Sequence, residues 1–136
     1  MEPSEMKELV RHIMEDGFNQ GDMSVVYDSF VSHYVRHGYG VASMGSLEEH
    51  VADLKARHAA FSGARFEIHQ MVAEGDTVAV RYTFHGTHTG ELNGIAPTGR
   101  TVSRESSAFF TVADGKVVEG SIVADGHGLL DQLTSP

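Results

Sequence analysis

The alternation that decides the fold lies in residues 73–86, AEGDTVAVRYTFHG. The stretch contains Glu74–Gly75–Asp76, a tight turn signal between two predicted strands. Beyond the turn, apolar side chains recur at every second position, at Val78, Val80, Tyr82 and Phe84. Because residues two apart lie on one face of a strand, the stretch predicts a hairpin whose second strand directs these four side chains into a core.

Strand signals continue on both sides of this hairpin. Phe66–Ile68 belongs to its first strand, and a third strand is predicted over Arg100–Val112 after a glycine-bounded loop. Asp114–Gly115 is the signal of a type I′ hairpin and leads to a fourth strand over Lys116–Ala124. The second half of the chain is therefore predicted to be a meander of antiparallel strands.

Two helices are predicted at the start of the chain. The first follows Ser4 and ends at Gly17, with apolar residues at helical spacing between them. The second is capped by Asp22 and carries Phe30 and Tyr34 on its apolar face.

A third helix is predicted after a loop rich in glycine and serine. Ser46 and Glu49 form a capping box at its start, and its apolar stripe continues to Phe61. A short apolar tail, Gly128–Leu133, is compatible with one more helix. Three N-terminal helices followed by a mostly antiparallel sheet indicate an α+β fold, in which the helices close one face of the sheet over an apolar pocket.

Composition limits the classes of function. The 136 residues fit a single domain, 1–136, with its own core, and a net charge of −9 would repel a nucleic-acid backbone. There is no cysteine, no run of about 20 apolar residues and no leader pattern, so we expect a cytoplasmic protein that neither forms disulfides nor spans a membrane. Phosphate-loop and dinucleotide-binding glycine motifs are absent, so no organic cofactor is expected.

Several short motifs occur in a characteristic order, namely FNQGD at 18–22, GTHTGE at 86–91, GIAPTGR at 94–100 and DGKVVE at 114–119. With their spacing, they resemble the SnoaL-like polyketide cyclases over nearly the whole chain. The resemblance implies a cone-shaped, cystatin-like fold of the ketosteroid-isomerase type, with a strongly curved sheet around a deep cavity. It also implies a homodimer formed through the sheet. It says less about the reaction, because this fold hosts many functions.

The chain departs from that family at two positions. The family's cyclases carry a carboxylate three residues before the aspartate that is Asp125 here, where this chain has Ile122. Members commonly carry Asp or His at the position of Ala108. If both residues face the cavity, as the resemblance implies, they shape a substrate-binding surface and cannot move protons.

Acid–base chemistry is then assigned to the third helix. His58 falls on its apolar stripe, so the imidazole is either a catalytic acid or base at the cavity wall or a buried ring satisfied by one backbone carbonyl. Asp53 shares another face with His50 and Arg57. If that face points inward, Asp53 replaces the missing carboxylate and Arg57 or His50 orients it; if it faces water, Asp53 and Arg57 are an ordinary surface pair.

Four further residues complete the predicted site. Tyr82 either donates to a substrate oxygen as a catalytic group or packs in the core, and Arg104 either holds an anionic group or reaches solvent at the rim. Phe18 is predicted to shape the substrate cavity and His37 to lie near its mouth. His33 and His37 have the spacing of a helical metal pair, but no third ligand is visible, and no metal site is predicted.

The favoured hypothesis is a cofactor-free enzyme that acts on a hydrophobic, polyketide- or terpenoid-like small molecule. It would cyclise or isomerise that molecule by proton transfer, or hold it folded near its reactive conformation. The alternative is a non-catalytic domain of the same fold that binds a hydrophobic ligand or only dimerises.

Overall fold

The computed structural model describes residues 1–124 and 128–134, so Asp125 lies outside the described residues. Along the chain, the elements are α1 (Pro3–His12), a π-helical segment (Ile13–Phe18), α2 (Met23–Ser29), β1 (Phe30–Tyr39), α3 (Leu47–Ala60), β2 (Phe61–Glu74), β3 (Thr77–His88), β4 (Thr101–Ala113), β5 (Lys116–Ala124) and α4 (Gly128–Thr134).

The five strands form one sheet in the order β1-β5-β4-β3-β2. Strands β2 to β5 pair antiparallel with their neighbours along the chain, whereas β1 pairs parallel to β5. The β2–β3 ladder shifts register twice, between Ser62 and Arg65 and between Ile68 and Gln70. Such irregularities increase the twist of a sheet. The predicted α+β class with a mostly antiparallel sheet is confirmed.

One predicted helix ends earlier than the sequence indicated. The second helix stops at Ser29, and Phe30–Tyr39 forms β1 instead of continuing the helix. Phe30 and Tyr34 are four residues apart. Side chains at this spacing lie on the same face in a helix and also in a strand, so the spacing does not distinguish a helix from a strand. The same error placed Phe61 on the third helix, although it is the first residue of β2.

The core lies between the first three helices and the inner face of the sheet. Its largest cluster includes Met6 and Val10 of α1, Val51 and Leu54 of α3, and the strand residues Val78, Val80, Ala108 and Phe110. A second cluster joins Leu129 and Leu133 of α4 to Phe61, Phe84 and Val102 of the sheet. The tail is therefore helical, as predicted, and it packs against the sheet.

The outer face of the sheet keeps large apolar side chains in solvent. Val72, Phe109 and Val123 are each about half exposed. A homodimer formed through this face stays a prediction. Among the described helices, none combines the length and the apolar character that a membrane span requires.

Glycine is required at position 38, near the end of β1. A Cβ atom there would overlap the carbonyl oxygen of Val41 and lie 2.6 Å from the carbonyl group of Ala42. We expect Gly38→Ala to lower the free energy of unfolding by about 1–3 kcal/mol, because backbone atoms must move to accept the methyl group. Urea unfolding would measure the change. Gly45→Ala is the matched control, because a Cβ atom at Gly45 meets only Glu49 Oε1, at 3.7 Å. Equal losses in the two variants would contradict this account.

Candidate functional site

A cavity of about 370 Å³ lies between α3 and the inner face of the sheet. Its volume is in the range of small-molecule sites. The mouth is formed by the loop that contains Gly40–Ala42, by Leu92 and Asn93 of the β3–β4 loop, and by Leu129 and Leu130 of α4. Because several of these residues are exposed, the cavity is open to solvent.

The mouth is anchored by hydrogen bonds to the sheet and to α4. The backbone N–H of Thr98 donates to Nδ1 of the buried His88 at 3.1 Å, which ties the β3–β4 loop to β3. The Gln132 side chain donates to Ser103 O at 2.6 Å and accepts from Ser103 N at 2.9 Å. These contacts hold the loop and α4 in place around the opening.

Aromatic and aliphatic side chains form most of the inner wall. Phe18 lies with its ring centroid 5.6 Å from that of Phe66, and both line the cavity with Leu54 and Ile122. Phe18, which the sequence predicts to shape the substrate cavity, is one of the residues that line it. The wall therefore suits a hydrophobic, flat molecule.

The two aliphatic positions of the sheet are neighbours. Ala108 is the register partner of both Val80 and Ile122, so the three side chains share the inner face. Ile122 lines the cavity, and Ala108 is fully buried in the core beside it. A carboxylate at position 122 would reach the void, but isoleucine offers no proton acceptor there.

Asp53 brings a carboxylate to the cavity from α3. Its Oδ2 lies 3.6 Å from Nη2 of Arg57 and 3.8 Å from Nη1 of Arg36. Both distances exceed that of a hydrogen bond, so the oxygen keeps room to accept a proton from a ligand. The Asp53 side chain is 27% exposed, so it stands at the cavity wall and not in open solvent. The face of α3 that carries His50, Asp53 and Arg57 therefore points inward.

Sequence reasoning missed Arg36, which is the second cation beside Asp53. Arg36 lies on β1, two residues beyond Tyr34, the last residue assigned to the second predicted helix, and its side chain is 9% exposed. Its Nη2 donates to Ala42 O at 2.9 Å, while Nε has no partner among the described residues. Strand alternation from Tyr34 would have placed Arg36 on the inner face.

His50 is the most enclosed titratable group of the cavity's lining among the described residues. It is 4% exposed, and its ring centroid lies 5.4–5.6 Å from those of Tyr34, Phe30 and Phe18. Neither ring nitrogen has a hydrogen-bond partner in the described part of the chain. Burial, reinforced by the charge of Arg36, lowers the pKa of His50 from 6.5 to about 4. The imidazole is therefore neutral near pH 7 and can both donate and accept a hydrogen bond.

Tyr82 and Arg104 face the cavity from the sheet. Burial raises the pKa of Tyr82 above its ordinary value, so the hydroxyl stays protonated and can donate; it also bonds to the Ser106 side chain. Burial, together with the like charge of Arg57, lowers the pKa of Arg104, and the Nε of Arg104 has no partner within residues 1–124 and 128–134. An arginine stays charged in proteins, so a buried one favours an anion beside it.

Three predicted site residues lie outside the cavity lining, namely Ala108, which is buried in the core beside it, and the histidines His58 and His37. His58 is half-buried, and its Nε2–H donates to the carbonyl oxygen of Phe18, as in the structural alternative considered for it. His37 is 46% exposed on its side chain and lies 3.7 Å from Glu119 on the surface. His33 and His37 are on a strand, so the helical spacing does not apply. The described residues contain no cluster of three potential metal ligands.

Comparison with known proteins supports the sequence resemblance. The model of the SnoaL-like polyketide cyclase family matches residues 8–133. Aklanonic acid methyl ester cyclase AcmA of Streptomyces galilaeus is 30% identical over 135 residues, covering 98% of this chain and 93% of the relative. Nogalonic acid methyl ester cyclase of Streptomyces nogalater is 33% identical over 73 residues, covering 54% of each chain.

The similarity extends to solved structures. AclR of Streptomyces galilaeus superposes with a TM-score of 0.87 at 29% sequence identity, covering 99% of this chain and 84% of that one. The arrangement of helices over a curved sheet is thus shared along nearly the whole length. This agreement in fold extends over the elements that form the cavity.

Proposed function

Because this chain belongs to the SnoaL-like polyketide cyclase family, we propose that it is an enzyme that closes a ring in an enolisable, hydrophobic, polyketide-like molecule. The observation that carries the proposal is the position of the Asp53 carboxylate. Its carboxylate stands at the cavity wall between Arg36 and Arg57, while the position used by the family's cyclases holds Ile122. The cavity has therefore kept a proton acceptor, supplied by a helix instead of by the last strand.

Ring closure of this kind needs one carbon nucleophile and one carbonyl electrophile in the same molecule. A base removes a proton from the carbon next to a carbonyl, and the resulting enolate carbon bonds to a second carbonyl carbon. The oxygen of that second carbonyl then takes up a proton, so the product is an isomer of the substrate. The reaction needs no redox cofactor, because the substrate is neither oxidised nor reduced overall.

The lining residues supply each of these requirements. Asp53 accepts the proton from carbon, with the two guanidinium groups holding its carboxylate in position. Tyr82 donates its hydroxyl to the oxygen on which negative charge develops, and the nearby charge of Arg104 favours the same enolate. The neutral His50 lies in the same cavity and can relay the proton from Asp53 to the new alkoxide, because it can accept at one ring nitrogen while it donates from the other, so both groups return to their starting state.

The chemical class of the substrate is taken from the named relatives. The two curated relatives carry in their names the methyl esters of aklanonic acid and nogalonic acid. A hydrophobic polyketide-like molecule matches a wall made of Phe18, Phe66, Leu54 and Ile122. We extend the class, and not the individual compounds, to this chain.

Isotope exchange tests the proposal directly. Purified protein is incubated in deuterated buffer with the methyl esters of aklanonic and nogalonic acid and with the two free acids. We expect deuterium to enter the enolisable position, and we expect a ring-closed product to accumulate that is an isomer of the substrate apart from the deuterium taken up, both faster than without protein. Tight binding of all four compounds with neither exchange nor product would contradict the proposal and support the alternative of a non-catalytic binding domain.

A further inference from the structure

The charged groups that the described residues place in the cavity do not balance. Its lining contains the three cations Arg36, Arg57 and Arg104, and Asp53 is its carboxylate among the described residues. The formal charge of these groups is therefore 3 − 1 = +2. The complete chain, by contrast, carries a net charge of −9. A positive cavity inside an acidic protein attracts anions to the site and not to the remaining surface.

The imbalance is located on the side of the cavity where α3 meets β3 and β4. The guanidinium carbon of Arg57 lies 5.0 Å from the centroid of the Phe84 ring, and Arg104 is the cross-strand register partner of Phe84. The Arg57 guanidinium therefore lies over the Phe84 ring, and Arg104 lies beside Phe84 on the neighbouring strand. Asp53 approaches Arg57 and Arg36, so it offsets one of their charges but forms no ion pair with Arg104.

Buried hydrogen-bond donors mark the same side. Arg57 Nη1 and Arg104 Nε are buried and have no partner among the described residues. A buried donor without a partner is energetically costly, more so when it is charged, so this arrangement is typical of a site that a ligand completes. The repulsion between Arg57 and Arg104 also lowers the pKa of Arg104, and an anion between them would relieve it.

The reaction does not reduce the excess charge. Asp53 loses its negative charge when it takes the proton from carbon, and the enolate gains one, so the formal charge of the described lining plus substrate stays at +2. This excess calls for an anion that the substrate carries permanently. A carboxylate matches a guanidinium in shape and accepts two of its N–H donors at once.

We propose that the substrate of this chain carries a free carboxylate, held by Arg57 and Arg104, and is not esterified at that group. The inference rests on the proposed function, whose substrate it specifies. It separates this chain from its curated relatives, which are named for methyl esters. In a methyl ester, the same group is neutral and cannot offset a guanidinium charge.

Binding of a matched pair of unreactive probes tests the proposal. The probes are anthraquinone-2-carboxylate and its methyl ester, measured by calorimetry or fluorescence at pH 7.5 in low salt. We expect the acid to bind at least about tenfold tighter than the ester. Arg104→Met and Arg57→Met should each remove most of this preference by weakening the acid alone. Arg104→Lys keeps the charge and should retain more of the preference than Arg104→Met.

Arg81→Met is the matched control, because Arg81 lies on β3 but is half exposed and paired with Glu105 on the surface. Its binding of both probes should be unchanged. Equal affinity of the wild-type protein for acid and ester would overturn the proposal, and so would equal weakening of both probes by the Arg→Met variants. If those variants fail to fold, the wild-type ratio and the Arg104→Lys variant decide. If the protein prefers the acid but shows no isotope exchange, the proposed reaction is contradicted and the carboxylate proposal is kept. If it shows isotope exchange but no preference for the acid, the carboxylate proposal is contradicted and the proposed reaction is kept.

Discussion

Asp53→Asn is expected to lower kcat for deuterium exchange and ring closure about 10²- to 10⁴-fold. Asparagine has the size of aspartate but cannot accept a proton from carbon at neutral pH. The effect should be large because the positions of the family's carboxylate and of its neighbour are Ile122 and Ala108, which offer no substitute. Initial rates on the best substrate of the isotope-exchange assay would measure the loss.

The same variant should separate KM from kcat. Removing the Asp53 charge raises the formal charge of the described lining from +2 to +3, because the three arginines remain. An anionic substrate should therefore bind at least as tightly while it reacts more slowly, so KM falls or stays constant as kcat falls. A variant that had merely lost its structure would raise KM and lower kcat together.

Asp28→Asn is the matched control for this prediction. Asp28 is exposed on α2, and the substitution makes the same chemical change outside the cavity. Its kcat should equal that of the wild-type protein. If Asp53→Asn also keeps wild-type turnover, Asp53 is not the proton acceptor and the proposed mechanism is wrong.

The strands that build the cavity could be predicted because each has an unambiguous period. In β3, Val78, Val80, Tyr82 and Phe84 alternate strictly, and the turn before them fixes which residues pair. The register then places Tyr82 and Arg104 on the inner face without further information. Period and turn chemistry are local properties, so a sequence expresses them directly.

β1 could not be predicted in the same way, because the spacing of its buried residues fits both the helical and the strand period. Phe30 and Tyr34 are buried, but so is Arg36, and a charged residue on an inner face interrupts the hydrophobic pattern. The partner of β1 is β5, whose paired residues lie 84 to 87 positions later in the chain, and the pairing is parallel. A contact of such separation leaves no local signal. Because this strand was not predicted, Arg36 was absent from the predicted site, and Arg57 was the one arginine expected beside Asp53.

The inward direction of the third helix could be predicted for its apolar stripe but not for its charged face. His50, Asp53 and Arg57 have a spacing that serves equally for a solvated helix surface and for a cavity wall. Only the position of β1 and the mouth loops decides between the two. Charged groups that line a cavity are therefore recognised from tertiary structure, and their cost in stability is a second sign of function.

His50 shows the cost in stability of a buried polar group most clearly. We expect His50→Met to raise the free energy of unfolding, and we expect the gain to increase as the pH falls. In the folded state, the pKa of His50 is lowered to about 4, whereas an unfolded histidine titrates near 6.5. Between these pH values the unfolded chain binds the additional proton, so stability falls as pH falls from about 6.5 to about 4 and then stays level. At about 1.4 kcal/mol for each pH unit, the complete loss is about 3 kcal/mol.

Methionine cannot take up a proton, so the variant should lose this part of the acid sensitivity. It also removes two buried nitrogen atoms that have no partner among the described residues, and its thioether packs well against the rings of Phe18, Phe30 and Tyr34. Urea unfolding at pH 7 and pH 4.5 would measure the difference. We expect the advantage of the variant over the wild-type protein to grow by about 2 kcal/mol between the two pH values.

The groups that surround His50 decide the sign of this result. Arg36 of β1 and Arg57 of α3 oppose its protonation, and Asp53 favours it less strongly than burial opposes it. Carboxylates elsewhere titrate alike in both proteins, so their effect cancels in the comparison. His33→Met, at an exposed position of β1, provides the matched control and should show no growing advantage in acid. If His50→Met and the wild-type protein lose stability in parallel from pH 7 to pH 4.5, then His50 is protonated in the folded state, and the neutral imidazole assigned to the cavity is wrong.

If the variant is instead more stable and slower in ring closure, this chain retains a destabilising histidine because the reaction uses it.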